Sequence, residues 1–98
     1  MINKKIKDRL DNIRHTYHAL REGFNDNVTA KQIEDALKKG FELIEDYPDD
    51  PRGHSCLLLV WVNDKPVHIA CAPHEDVLII ITVYIPKEEE WIDYRKRR

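Results

Sequence analysis

Three side chains that could carry acid–base chemistry, His68, Thr82 and Tyr84, fall within strand-like stretches of the chain. The neighbours of a histidine in a strand can move its pKa towards the working pH of a general acid or base, so His68 is a candidate for that role. Tyr84 is a candidate for the complementary proton donor, and the Thr82 hydroxyl for positioning a substrate. The structural alternative is that His68 satisfies a backbone group and Tyr84 packs with its hydroxyl at the rim. Both interpretations stay open on the sequence alone.

Candidate phosphate contacts are the cations His18, Arg21 and Arg52. His18 and Arg21 flank the apolar stripe of a helix-like segment, and Arg52 follows an acidic turn; the alternative is that all three are ordinary solvated residues. The net charge of −2 argues weakly against nucleic acid, but its distribution is uneven. The first 24 residues are basic, residues 41–50 hold five acids and no base, and the chain ends in a basic run. This pattern indicates a polarised molecule.

Metal and cofactor chemistry has little support in the sequence. His15 and His18 are spaced as two metal ligands could be, but no CxxC or HExxH motif is present, so we expect no bound metal. With three glycines there is no Gly-rich phosphate loop, and we expect no cofactor. Cys56 and Cys71 are most simply two small buried residues, although a cross-strand disulfide is an alternative that a reducing cytosol opposes.

The length of 98 residues fits one domain spanning 1–98. Apolar residues make up 42% and charged residues 35%, the balance of a globular chain. The longest apolar runs are far shorter than the roughly 20 residues that a bilayer requires, and the start of the chain lacks the apolar stretch of a signal peptide. We therefore expect a cytoplasmic protein without a membrane partner.

Two helices are predicted before the strands begin. Apolar residues recur at steps of three and four from Ile2 to Phe24, which predicts one amphipathic helix from about Asn3 to Gly23. Thr29 and Gln32 form a capping box for a second helix that Gly40 ends. After Pro86, the spacing of Trp91 and Tyr94 predicts a short C-terminal helix.

Four strands are predicted at residues 41–47, 55–62, 66–72 and 77–85. The expected fold class is α+β, with two N-terminal helices packed on one face of a four-stranded, mainly antiparallel sheet and a short C-terminal helix. A two-residue type I′ turn at Asn63-Asp64 would set Cys56 opposite Cys71 and Leu59 opposite His68. Strict alternation in the last strand would place Leu78, Ile80, Thr82 and Tyr84 on the face of His68. The candidate site would then occupy the sheet face that the helices leave uncovered.

Several segments together resemble the small bacterial and archaeal family called domain of unknown function 4258. The segments that carry the resemblance, from about His15 onward, are Tyr17-His18-Ala19-Leu20, Ile33-Glu34-Asp35-Ala36-Leu37, Ile44-Glu45-Asp46-Tyr47-Pro48-Asp49-Asp50-Pro51-Arg52-Gly53, Val67-His68-Ile69, Ile81-Thr82-Val83-Tyr84 and Trp91. The resemblance implies a fold similar to RelE-like and MqsR-like toxins. It also implies a ribonuclease that cleaves messenger RNA without a metal, restrained by an antitoxin partner with a zinc finger. Family members commonly carry arginines where this chain has Glu22 and Asp26.

Two hypotheses follow. The first is a RelE/MqsR-like toxin of a toxin–antitoxin pair, a metal-independent endoribonuclease in which His68, Tyr84 and Thr82 act on the RNA and His18, Arg21 and Arg52 hold phosphates. On this hypothesis, replacing His68 with Gln should abolish cleavage and leave the melting temperature nearly unchanged. The second is a non-catalytic protein-interaction module, or a degenerate toxin, whose apolar sheet face binds a partner protein or a second copy as a homodimer.

Overall fold

The computed structural model describes all 98 residues and has an α+β architecture of three helices and seven strands. The elements are α1 (Ile2–Lys7), β1 (Ile13–His15), α2 (Tyr17–Asn25), α3 (Ala30–Lys39), β2 (Glu42–Tyr47), β3 (Ser55–Val62), β4 (Lys65–His74), β5 (Val77–Tyr84), β6 (Trp91–Ile92) and β7 (Lys96–Arg97). Five strands form one mixed sheet in the order β1-β5-β4-β3-β2, so the expected four-stranded sheet was one strand short. No helix is long and apolar enough to cross a bilayer.

The predicted single helix from Asn3 to Gly23 is wrong. The chain leaves α1 after Lys7, forms β1 and enters α2 only at Tyr17. The β1 backbone pairs in parallel with β5 and so provides hydrogen-bond partners for the backbone groups of β5 that would otherwise be unpaired at the sheet edge. Thr16 then starts α2, because its hydroxyl oxygen accepts a hydrogen bond from the Ala19 N–H at 3.0 Å. Steps of three and four between apolar residues fit two short helices as well as one long helix.

The core lies between the sheet and the helices, and all three helices contribute side chains to it. Ile2 and Ile6 of α1 and Ile33 and Leu37 of α3 are buried there. The capping box of Thr29 and Gln32 is present, as predicted, and Gly40 follows the end of α3. We call the sheet face that meets this core the helix face and the opposite face the second face.

The β3–β4 hairpin has the predicted register. Asn63 and Asp64 both have positive φ, as a type I′ turn requires, and Cys56 opposes Cys71 while Leu59 opposes His68. The helix face of the hairpin is wholly apolar and belongs to the core. The other residues of both strands therefore point to the second face, as the alternation predicts.

A β-bulge divides β5 into two halves. Ala70 pairs with Thr82, but the next residue, Cys71, pairs with Ile80, so Ile81 has no counterpart in β4. Thr82 and Tyr84 face the same side as His68, as predicted. Ile80 is instead fully buried in the core on the helix face, together with Leu78. The prediction for those two residues was wrong because strict alternation cannot anticipate an extra residue.

The predicted C-terminal helix is a two-stranded ribbon. The strands β6 and β7 pair through a turn in which Asp93 and Tyr94 have positive φ and the Arg95 N–H donates to the Ile92 carbonyl at 3.0 Å. A helix as short as this segment allows is marginal in water. Here long-range contacts from Trp91 and the arginines to the sheet favour the ribbon, which lies against the second face.

Candidate functional site

Chemically active side chains meet on the second face. Glu42, Leu59, His68 and Tyr84 are successive partners across β2, β3, β4 and β5 and form one row. Glu45, Leu57, Ala70 and Thr82 form the adjacent row. The predicted trio of His68, Thr82 and Tyr84 is therefore on one face, which also carries carboxylates at its β2 edge.

The contacts of His68 determine its tautomer. Its Nε2 atom lies 2.6 Å from the carbonyl oxygen of Tyr94, and a carbonyl can only accept, so Nε2 carries the proton. Its Nδ1 atom lies 3.1 Å from the Tyr84 hydroxyl. In the neutral imidazole Nδ1 is an acceptor, so the Tyr84 O–H donates to it. We call this chain of Tyr84, His68 and the Tyr94 carbonyl the relay.

The His68 ring is inaccessible to solvent. The sequence had instead predicted that it would lie on an uncovered sheet face. Its exposed fraction is 0%, and the Trp91 ring packs edge-on against it with centroids 4.4 Å apart. Burial lowers the pKa of His68, partly offset by its hydrogen bond to the Tyr94 carbonyl, and so favours the neutral ring. Burial also raises the pKa of Tyr84. The expectation of an exposed imidazole is therefore wrong. Only the half-buried Tyr84 connects the buried His68 ring with the surface.

An ion pair borders the relay. The Nε and Nη2 atoms of Arg97 donate to the two carboxylate oxygens of Glu45 at 2.8 and 3.2 Å, and the Tyr47 hydroxyl donates to the same carboxylate. The hydrogen bond from Arg97 lowers the pKa of Glu45, and Glu45 in turn raises the pKa of Arg97. The guanidinium also stacks over Trp91, 4.7 Å from the ring centroid. Glu45 is therefore an anion held by a fixed cation.

A shallow pocket gives access to this region. It has a volume of about 360 Å³ and is lined by Tyr84, Glu90, Trp91 and Arg97. A phosphate or a ribose unit would fit in such a space, with a phenol and a guanidinium in its wall. We call it the Tyr84 pocket.

The three cations predicted to hold phosphates do not lie together. His18 and Arg21 are on α2, which packs beside β5, whereas Arg52 lies in the loop between β2 and β3, at the other edge of the sheet. His18 is 3.1 Å from Glu22, and the Arg52 side chain is 3.3 Å from Asp50. Hydrogen bonds from the Arg52 N–H and the Ser55 hydroxyl, together with the Arg52 side chain, lower the pKa of Asp50 to about 2. The cation that lines the Tyr84 pocket is Arg97.

Sequence reasoning missed Glu45 and Arg97. Alternation along β2 would put Glu42 and Glu45 on opposite faces, but a bulge at Ile44 turns both towards the second face. Arg97 faces Glu45 only because the C terminus is a ribbon. No local signal marks either event, although the five acids of residues 41–50 and the basic C-terminal run did indicate two regions of opposite charge.

The side chains suited to metals stay apart. His15 is 2.8 Å from Glu34 and His54 contacts Asp46, but nowhere do three histidine, cysteine, aspartate or glutamate side chains gather as ligands. The Cys56 and Cys71 sulfurs are 3.7 Å apart in the core as free thiols, and the contact with Cys56 and burial raise the pKa of Cys71.

The fold and site define a small α+β protein with a polar cluster on one sheet face. The family model described as "Domain of unknown function (DUF4258)" matches residues 15–85, and the chain belongs to this family. No curated protein and no solved structure matches the chain. The matched span contains the whole five-stranded sheet apart from the first two residues of β1, while the ribbon that covers His68 lies outside it.

Proposed function

We propose that this chain is a RelE/MqsR-like endoribonuclease that cleaves messenger RNA without a metal, the toxin of a toxin–antitoxin pair. The observation that carries the proposal is the relay, in which a half-buried phenol that borders a pocket donates a hydrogen bond to a buried neutral imidazole. A general base of this kind needs neither a metal nor an exposed histidine.

The relay can remove a proton from a substrate hydroxyl. As the ribose 2′-hydroxyl attacks phosphorus, its proton would pass to the Tyr84 oxygen while the Tyr84 proton passes to His68 Nδ1. The bond from phosphorus to the 5′-oxygen would break to leave a 2′,3′-cyclic phosphate, and the departing 5′-oxygen would take a proton from water. The resulting imidazolium would keep its hydrogen bond to the Tyr94 carbonyl, and the Glu45 carboxylate would favour its charge. His68 would thus serve as a base without touching the RNA, and Tyr84 would be the group in contact.

Arg97 would supply positive charge to the reacting phosphate. Two of its donor atoms are bound to Glu45, and a guanidinium has further N–H groups to offer. Thr82 lies in the adjacent row and would position the ribose. His18, Arg21 and Arg52 are too scattered to form one phosphate site with Arg97, and we assign them at most contacts along a longer strand.

A second candidate function is a non-catalytic interaction module. The burial of His68 and the pairing of Arg52, Arg95 and Arg97 with carboxylates favour it, because paired guanidinium groups attract phosphate less. If the protein is the nuclease, its partner would be a zinc-finger antitoxin. If it is the interaction module, its partner would be a protein that covers the second face.

One cleavage assay separates the two functions. Purified protein is incubated with end-labelled RNA, with and without a chelator, beside Tyr84→Phe and the control Tyr17→Phe on exposed α2. We expect cleavage that the chelator does not reduce, a loss of about 10²-fold or more in Tyr84→Phe, and full activity in Tyr17→Phe. Absence of cleavage by the unmodified protein, or full activity of Tyr84→Phe, would contradict the nuclease and leave the interaction module.

A further inference from the structure

The outer surface of α2 carries large apolar side chains that nothing in the structure covers. Tyr17 is 77% exposed, Leu20 46% and Phe24 81%. On one long amphipathic helix they would belong to the apolar stripe, but α2 buries only Ala19 and Gly23. Gly23 allows a close approach to the next turn, since a Cβ there would lie 2.7 Å from the Val28 carbonyl oxygen. We call Tyr17, Leu20 and Phe24 the α2 ridge.

A groove runs along the ridge towards the start of α3. It has a volume of about 410 Å³, and its lining is mostly apolar: Leu20, Phe24, Asn27, Val28, Thr29 and Ala30. A protrusion of aromatic rings beside an apolar groove is the kind of surface into which an amphipathic helix docks. Exposed apolar side chains concentrated on one helix face also differ from the single scattered ones that need no explanation.

The charge next to the ridge is positive and unpaired. On a helix of 3.6 residues per turn, Arg21 projects beside Tyr17 and Phe24, and it has no carboxylate partner. The nearby acid Glu22 is directed elsewhere, with its carboxylate near His18 and near the backbone N–H of Val83 at 3.3 Å. A ligand on the ridge would therefore be favoured by an acidic group opposite Arg21.

We propose that the α2 ridge binds an amphipathic helical segment of another protein, with apolar residues for the groove and a carboxylate for Arg21. A second copy of this chain fits less well, because a two-fold contact through the ridge would bring the two Arg21 side chains towards each other. Single-stranded RNA fits less well because one unpaired guanidinium offers little to a phosphate backbone. The ridge shares no residue with the Tyr84 pocket, so this proposal does not depend on RNA cleavage.

The test places a photoreactive benzoylphenylalanine at position 24 of the full chain in the cells that produce it. The cross-linked segment is identified by mass spectrometry and then synthesised as a peptide. We expect a segment that combines a helical apolar face with aspartate or glutamate. Its affinity should fall about tenfold or more in Arg21→Glu and in Phe24→Ser, as for a central contact of an interface.

The control is Lys38→Glu, which makes the same charge change on an exposed position of α3 and should leave the affinity unaltered. Circular dichroism confirms that each variant is folded. Cross-linking to a second copy or to RNA would overturn the proposal. So would a captured segment without acids, an affinity that Arg21→Glu leaves unaltered, or no cross-link at all.

Discussion

His68 and Tyr84 are directly opposed residues of β4 and β5, and the Tyr84 O–H donates a hydrogen bond to the His68 Nδ1 atom, with the oxygen and nitrogen 3.1 Å apart. Because one residue is buried and the other borders a pocket, the pair connects the interior of the protein with its surface. Removing either partner should consequently have different effects on stability and on activity.

Replacing His68 with Gln should destabilise the protein, contrary to what the sequence alone suggests. A glutamine amide has one donor group and one acceptor, but it lacks the rigid ring that aims one nitrogen at the Tyr94 carbonyl and the other at the Tyr84 hydroxyl, and it loses the contact of that ring with Trp91. We expect a decrease of about 1–3 kcal/mol in the free energy of unfolding, measured in urea. Cleavage activity, assayed where the variant is folded, should fall as in Tyr84→Phe. An unaltered unfolding midpoint would show that the buried ring is not held as described.

The stability of the protein should decrease on acidification through His68. Burial lowers the pKa of the folded imidazole, so below the unfolded value of about 6.5 the unfolded chain binds a proton that the folded chain does not. This contribution is complete above that value and is lost as the pH falls through the folded pKa. The measurement is the difference in melting temperature between wild type and His68→Gln from pH 7.5 to 5. A difference that does not narrow towards acid would contradict the depressed pKa.

Trp91 should protect His68 from chemical modification. Diethyl pyrocarbonate reacts with accessible imidazoles, so in the wild type we expect modification of exposed His18 and none of His68. Trp91→Ala should make His68 reactive and cost about 3–5 kcal/mol, since it removes a large buried ring. The neighbouring exposed position provides the control Ile92→Ala, which should leave His68 protected. Reaction of His68 in the wild type would mean that the ribbon does not cover it.

Loss of the Arg97 guanidinium should reduce cleavage and release Glu45. In Arg97→Gln we expect a decrease of about 10²-fold in the rate, as when one stabilising donor is removed from a transition state. In the wild type, Arg97 is the main cause of the lowered Glu45 pKa. In the variant this pKa should return towards its ordinary value, which NMR titration can follow. Lys96→Gln, an exposed cation of the same strand, should retain the activity of the wild type. Equal losses in both variants would indicate a general effect of charge.

Local patterns predicted the parts of the fold that local interactions decide. Asn63-Asp64 specified its turn and hence the pairing of β3 with β4, and Thr29 with Gln32 specified the start of α3. The common face of His68, Thr82 and Tyr84 also followed from strand alternation. These features depend on the conformations of a few neighbouring residues.

The rest of the fold depends on which residues pair across the sheet, and no local pattern in the sequence indicates that pairing. The extra residues Ile44 and Ile81 reverse the alternation within their strands, so Glu45 could not be assigned to the site nor Ile80 to the core. The ribbon depends on contacts of Arg95 and Arg97 with acids more than 50 residues away. The cover over His68 therefore could not be anticipated.

The bulge at Ile81 affects which residues of β5 could be substituted without disturbing the core. Upstream of it, Leu78 and Ile80 point into the core; downstream, Thr82 and Tyr84 lie on the second face and Val83 between them is buried. Substitutions at Thr82 and Tyr84 could therefore alter the second face while Leu78, Ile80 and Val83 keep their places in the core.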